Sequence, residues 1–358
     1  MALSILAVDD GKLDRRLRKN FASPLDVFGM TEDELAARGI DSQTTERLLS
    51  PKLMDRAGKE MERMEKHGNV ILTNEDDLYP AQLREIYDPP FALFCAGEPE
   101  TLGEPTVAVV GSRHPSPYGK AVAENLASDL AGRGLVVASG MARGVDSAAH
   151  WGALERGKTV AVLGSGLAVV YPRENRRLFE KIRENGAVIS EYSLDAQPLS
   201  HHFPQRNRLI SGLSLALVVV EASARSGSLI SARLALDQDR EVMAVPGRVD
   251  SELSRGTHWL IKNGAKLVET WEDVAEELPP PLRESLVAKP GKAQREAPDL
   301  SPEEEDICGR LDTQLPTHVD ELAEKTPYTV SEILAILLSL ELKGLVIQSP
   351  GQTYLRRM

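Results

Sequence analysis

The sequence predicts an α/β fold: an extended, Rossmann-like parallel doubly wound sheet, with a small helical domain on its N-terminal side and a winged-helix domain on its C-terminal side. From residue 70 to 268, apolar runs bounded by Gly and Pro alternate with segments of helical spacing, the order expected of βαβ units. Several runs are apolar at every position instead of every second one, as strands covered on both faces must be. Residues 1–66 and 301–358 lack this alternation and form the flanks.

Residues 1–66 predict a small domain of short helices of the SAM or helix-hairpin kind, punctuated by Ser23-Pro24, Gly29, Gly39 and Ser50-Pro51. Thr31-Glu32-Asp33-Glu34 resembles a capping box before Leu35. In residues 67–278, strands are predicted over 70–73, 91–96, 107–110, 135–138, 159–163, 187–189, 215–220, 241–245 and 266–268. Helical spacing falls between them over 118–133, 146–156, 174–184 and 229–239. Residues 279–300 are rich in Pro, Lys and Glu without periodicity and predict a flexible linker. Residues 301–358 predict helices over 302–311, 318–324 and 329–343. A hairpin over 345–348 and 353–355 follows, joined at Pro350-Gly351, which completes a winged-helix pattern.

A length of 358 residues is too great for one average domain, and 42% hydrophobic with 27% charged residues is ordinary for a globular chain. The two cysteines, Cys95 and Cys308, lie far apart, which excludes a disulfide framework or a CxxC metal site and fits a reducing cytosol. The N-terminus has no apolar run behind a basic start, and no stretch of membrane-spanning length occurs, so a cytoplasmic protein without membrane contact is expected. The net charge of −12 argues against a nucleic-acid partner at first sight. Residues 105–250, however, carry a small excess of Lys and Arg, so the middle of the chain departs from the acidic average.

In an open parallel sheet, ligands collect beyond the carboxyl ends of the strands, where amides and helix N-termini favour anions. Five small-residue turns fall at that edge. They are Gly111-Ser112-Arg113, the run 139–144 with Ser139, Gly140 and Arg143, Gly164-Ser165-Gly166, the run 201–208 with Phe203, Arg206, Asn207 and Arg208, and the run 222–228 with Arg225. Glycine lets a ligand approach the backbone, and the arginines supply donors for phosphate oxygens. Together they predict an anion-binding rim several phosphates long, which suits a long ligand held through its backbone better than a single nucleotide. Phe203, next to the two arginines, is a candidate for base stacking or for the core. With aromatic residues at 4% of the chain, backbone contacts are expected to dominate.

Neither GxGxxG nor GxxxxGK[ST] occurs, so no nucleotide cofactor is expected. Asp146, Glu191 and Glu221 fall near strand ends and could form an acid-base or metal cluster. The simpler reading has Asp146 capping a helix and Glu191 or Glu221 orienting arginines. His201 and His202 are adjacent and point apart, so they make no two-ligand metal face. In residues 301–358 acidic side chains outnumber basic ones; the third helix would repel a major groove, and the module is expected to be structural or protein-binding.

At these residues a resemblance emerges. The runs AVVGSRHPSPYG, VVASGMARGVDSAAHWGAL, TVAVLGSGLAVVYPREN, FPQRNRLISGLS and VVVEASARSGSLISARLALDQDREVMAVPG resemble the DprA/Smf family of DNA-processing proteins over residues 70–271. The resemblance implies a homodimeric extended Rossmann core that binds single-stranded DNA during natural transformation, protects it and loads RecA recombinase, without turnover. It also implies a DNA pocket at Gly111, Ser112, Arg113, Ser139, Gly140, Gly164, Ser165, Gly166, Phe203, Arg206, Asn207 and Arg208. Ser200 departs from the pattern, because some relatives carry a lysine there; Arg173, Arg176 or Arg177 would stand in for it. Two competing readings are a nucleotide-processing hydrolase of the lysine-decarboxylase-like group and a metal-dependent nuclease. The first requires a PGGxGTxxE loop where this chain has EASARSGS.

Overall fold

The structure, a computed structural model, describes all residues except 10–16, 18–19, 22–23, 289–299, 314 and 357–358. Its centre is a nine-stranded sheet in the order β1-β2-β6-β5-β4-β3-β7-β8-β9. The strands are β1 (Val70–Thr73), β2 (Ala92–Gly97), β3 (Thr106–Val110), β4 (Val136–Ser139), β5 (Thr159–Val162), β6 (Gly186–Ser190), β7 (Ala216–Val219), β8 (Glu241–Ala244) and β9 (Lys266–Leu267). From β6 to β9 all pairings are parallel, whereas β1 pairs antiparallel with β2, and β2 with β6. The antiparallel end extends the parallel sheet predicted from the sequence.

The unbroken apolar runs have the expected cause. Along β3, Ala108 and Val110 join the core on one face while Val107 and Val109 join the other, and β7 divides in the same way. Helices His202–Gly212, Ser228–Asp237 and Arg255–Lys262 cover the first face; Pro117–Gly132 and Val145–Arg156 cover the second. Burying both faces removes apolar surface at roughly 25 cal/mol per Å², which explains why polar residues are missing from the strand centres.

β3 and β7 are parallel neighbours, with Val110 opposite Val219. Their outgoing loops lead to helices on opposite faces of the sheet, which opens a crevice at the carboxyl ends. Two further contacts shape that crevice. Gly144, at φ 79, lets the loop after β4 lie against the loop after β3, where the Val145 amide donates to the Ser112 carbonyl at 3.1 Å. Gly119 leaves room for the Glu221 carboxylate, whose oxygens accept from the Ser116 amide at 2.8 Å and hydroxyl at 2.6 Å.

The N-terminal helices form their own apolar cluster around Leu17, Leu35 and Leu48, and Thr31 closes a capping box with Glu34. Their last helix, Pro51–Lys66, also belongs to the sheet core. Met64 packs in the cluster of Phe94, Ala96 and Leu178, and buried Glu60 accepts from the Leu194 amide at 2.5 Å.

Residues 280–288 correct the linker expectation. They form a helix, Pro280–Ala288, with Leu286 buried in the sheet core; proline at a first helical turn starts a helix as readily as it marks a linker. The remainder of the expected linker, 289–299, lies outside the described residues. Beyond it, helices Pro302–Arg310, Val319–Lys325 and Val330–Leu342 surround Ile307, Leu322 and Leu337. A three-stranded sheet joins them, made of β10 (Thr317–His318), β11 (Val346–Ser349) and β12 (Thr353–Arg356), and completes a winged helix.

Candidate nucleic-acid interface

A groove of about 660 Å³ runs along the carboxyl ends of the strands. Gly111, Ser112 and Arg113 line it from the loop after β3, Phe203, Arg206 and Asn207 from the His202–Gly212 helix, and Ser226, Gly227, Ser228, Ile230 and Ser231 from the segment after β7. A smaller hollow of about 50 Å³ adjoins it, lined by Gly140, Arg143, Gly164 and Ser165. Arg113, Phe203, Arg206 and Tyr171 border both. Ten of the residues nominated from sequence therefore converge on one edge of the sheet.

Their roles differ. Arg113 is exposed, with its guanidinium carbon 5.6 Å from the centroid of the Phe203 ring. A cation over an aromatic face is held there electrostatically and keeps its remaining donors free for a ligand. Arg143 is also exposed but holds Glu174 through two hydrogen bonds of 2.7 and 2.8 Å.

Arg206 corrects the expectation of a solvent-facing phosphate donor. It is 3% exposed, and its Nη1 donates to the carbonyls of Gly140, at 2.7 Å, and Val162. One side chain thus ties the end of β5 to the loop after β4. Burial lowers its pKa to about 10, against the opposing charge of Asp146; at neutral pH it remains a cation. Burial likewise raises the Asp146 carboxyl above the usual carboxylate range, opposed by Arg206 and by the amides of Ala142 and Gly140. Asp146 ties down the loop before its helix, accepting from the Ala142 amide at 3.3 Å, and makes no cap hydrogen bond at Gly144.

Four nominated residues do not line either cavity. Ser139 is fully buried and donates to the Val109 carbonyl at 2.6 Å, because the strand has not yet ended at this position. Gly166 is a packing glycine, since a Cβ there would sit 2.0 Å from the Ser193 carbonyl oxygen. Arg208 is largely covered and paired with Glu191 and Asp88. Arg225 is exposed just outside the lining.

Of the three acids, Glu191 orients Arg208 as expected, whereas Glu221 holds Ser116 and no arginine. Among the described residues no group of three His, Cys, Asp or Glu side chains converges as a metal would need. His202 is buried, stacked 4.0 Å from Tyr192, with Nδ1 3.1 Å from the Gly164 carbonyl. Sequence reasoning missed Tyr171, which touches Phe203 at 5.6 Å between ring centroids. It stands beyond the Gly164-Ser165-Gly166 turn, in the segment VVYPREN.

Comparison with known proteins identifies the family. Residues 70–279 match the family DNA recombination-mediator protein A, and residues 291–352 match the DprA winged helix domain. Protein Smf of Escherichia coli is 41% identical over 296 residues, 80% of this chain and 78% of that protein. The DNA processing protein DprA of Streptococcus pneumoniae is 48% identical over 203 residues, 56% of this chain and 72% of that protein. The X-ray structure of the Streptococcus pneumoniae protein superposes with a TM-score of 0.60 at 38% identity, covering 74% of this chain and 96% of that one. A Helicobacter pylori structure, described as showing a single-stranded DNA binding mode, superposes with a TM-score of 0.53 at 34% identity, covering 57% and 93%.

Proposed function

This chain belongs to the DNA recombination-mediator protein A family, and from that premise we propose that it grips single-stranded DNA in the strand-end groove, shields it and hands it to RecA recombinase, without chemical turnover. The observation that carries the reading is Arg113 poised over Phe203 at the rim of an open groove. A guanidinium beside an aromatic ring meets a phosphate and an unpaired base together. The Helicobacter pylori relative, whose structure is described as binding single-stranded DNA, supports the ligand class. The commitment of Glu191 to Arg208 and of Glu221 to Ser116 supports binding over cleavage.

The chain acts on incoming strands in the cytoplasm, as a homodimer. Trp259, exposed on the helix before edge strand β9, and Leu267 on that strand leave apolar surface suited to pairing two copies. Among the described residues no helix is long and apolar enough to cross a membrane.

A gel shift with labelled single-stranded and duplex DNA across a salt series tests the binding. Preference for the single strand, weakening with salt, is expected; equal binding of duplex overturns it. RecA filament assembly on strands already coated by a single-stranded DNA-binding protein tests the hand-over, with faster assembly expected. Strand cleavage on adding magnesium would instead establish a nuclease.

A further inference from the structure

We propose that Tyr171 is a base-stacking residue, its exposed ring forming with Phe203 an aromatic corner that seats one unpaired nucleobase where the groove meets the hollow. This rests on the single-stranded DNA reading above and adds to it the part of the strand that is held: a base face in addition to phosphates.

Tyr171 is 47% exposed although it is large and half apolar, and it borders both cavities. It and Phe203 are the aromatic residues among those lining the groove. Their rings are inclined by 42° with centroids 5.6 Å apart. At that separation they touch each other, so a base stacks on the outward side of the corner and does not slip between the rings.

The tyrosine is presented by a loop that is already pinned. Asn175 donates to the Met141 carbonyl and the Ser147 hydroxyl, each at 2.8 Å. At the other end, the Ser165 hydroxyl donates to the Val169 carbonyl at 2.7 Å. A ring held in place before the ligand arrives adds stacking with little ordering cost. Arg113, on the Phe203 ring, stands ready for the phosphate next to the seated base. Because every base has a stacking face, the corner should tolerate all four with modest preference.

The test compares oligothymidine with an abasic strand of equal length, by fluorescence anisotropy, on wild type, Tyr171→Ala, Tyr171→Phe and Tyr171→Trp, with thermal melting of each. Tyr171→Ala is expected to lose about tenfold in affinity for oligothymidine and nothing for the abasic strand. Tyr171→Phe and Tyr171→Trp should bind oligothymidine as wild type does, which keeps the test decisive if the alanine variant folds poorly. Equal loss on both strands, or no loss on either, overturns the assignment while leaving single-stranded binding intact. Wild-type protein that binds neither strand removes the parent reading, and this one with it.

Discussion

Arg206 donates through Nη1 to the carbonyl of Gly140 at 2.7 Å from a position only 3% exposed, beside the buried carboxylate of Asp146. An arginine read in the sequence as a phosphate donor is thereby the clamp that sets the spacing of two strand ends. Arg206→Ala would leave two carbonyls without their donor and Asp146 without its counter-charge. It should cost about 3–5 kcal/mol of folding stability, read from urea unfolding. A loss below about 1 kcal/mol rejects the clamp.

Arg113 is the contrasting case, exposed and resting on Phe203. Arg113→Ala should leave the unfolding midpoint unchanged. Single-stranded binding should weaken by about 1–3 kcal/mol, and the slope of log affinity against log salt should fall by about one. Unaltered affinity and slope in a folded variant would remove Arg113 from the interface.

Glu174 occupies Arg143 through a two-pronged pair that is open to solvent on both sides. Such a pair contributes little to stability, but a carboxylate there competes with phosphate for the same donors. Glu174→Gln should raise single-stranded DNA affinity about two- to fivefold at low salt. The gain should vanish when Arg143→Ala is added; a gain that survives the second substitution points to another cause.

His150 is fully buried where the Val145–Arg156 helix packs on β4 and β5. The Thr159 hydroxyl donates to the Val137 carbonyl at 2.5 Å, so its lone pair accepts from His150 Nδ1 at 2.7 Å. Burial lowers the imidazole pKa from 6.5 to about 3. Below pH 6.5 the unfolded chain therefore takes up a proton that the folded chain refuses. Stability is intact above that pH and falls toward pH 3, by about 1.4 kcal/mol per unit. Asp146, with its raised pKa, titrates in the opposite sense and is present in both proteins compared. Urea unfolding across this range should show a shallower acid limb for His150→Asn than for wild type; identical limbs would mean that His150 is protonated in the folded state.

Strand positions were legible because the physics that sets them is local. Val70–Thr73 is the strand read from its apolar run, and the Thr31 capping box needs four consecutive residues and nothing else. What arginine does at a strand end is not local. Arg113 and Arg206 both belong to segments whose sequence looks built for phosphate, yet one is exposed and the other is buried on a helix by packing contributed by β4, β5 and Asp146. Pro280 misled for a related reason: three consecutive prolines suggest a linker, whereas Leu282 and Leu286, one helical turn apart, both pack on the core and hold the segment down. Tyr171 escaped notice because the glycine signal ends at Gly166 and nothing in the intervening residues shows that the chain turns back toward Phe203.

The Pro51–Lys66 helix lies against β1, the outermost strand on its side of the sheet, and fills the space beside Phe94 with Met64. A chain shortened to start at Val70 would keep every groove residue but bare the apolar patch around Phe94 and Ala96 that Met64 covers, surface of the kind that drives proteins into aggregates. Poor solubility of such a truncation would then reflect an uncovered flank, with the strand-gripping edge itself unimpaired.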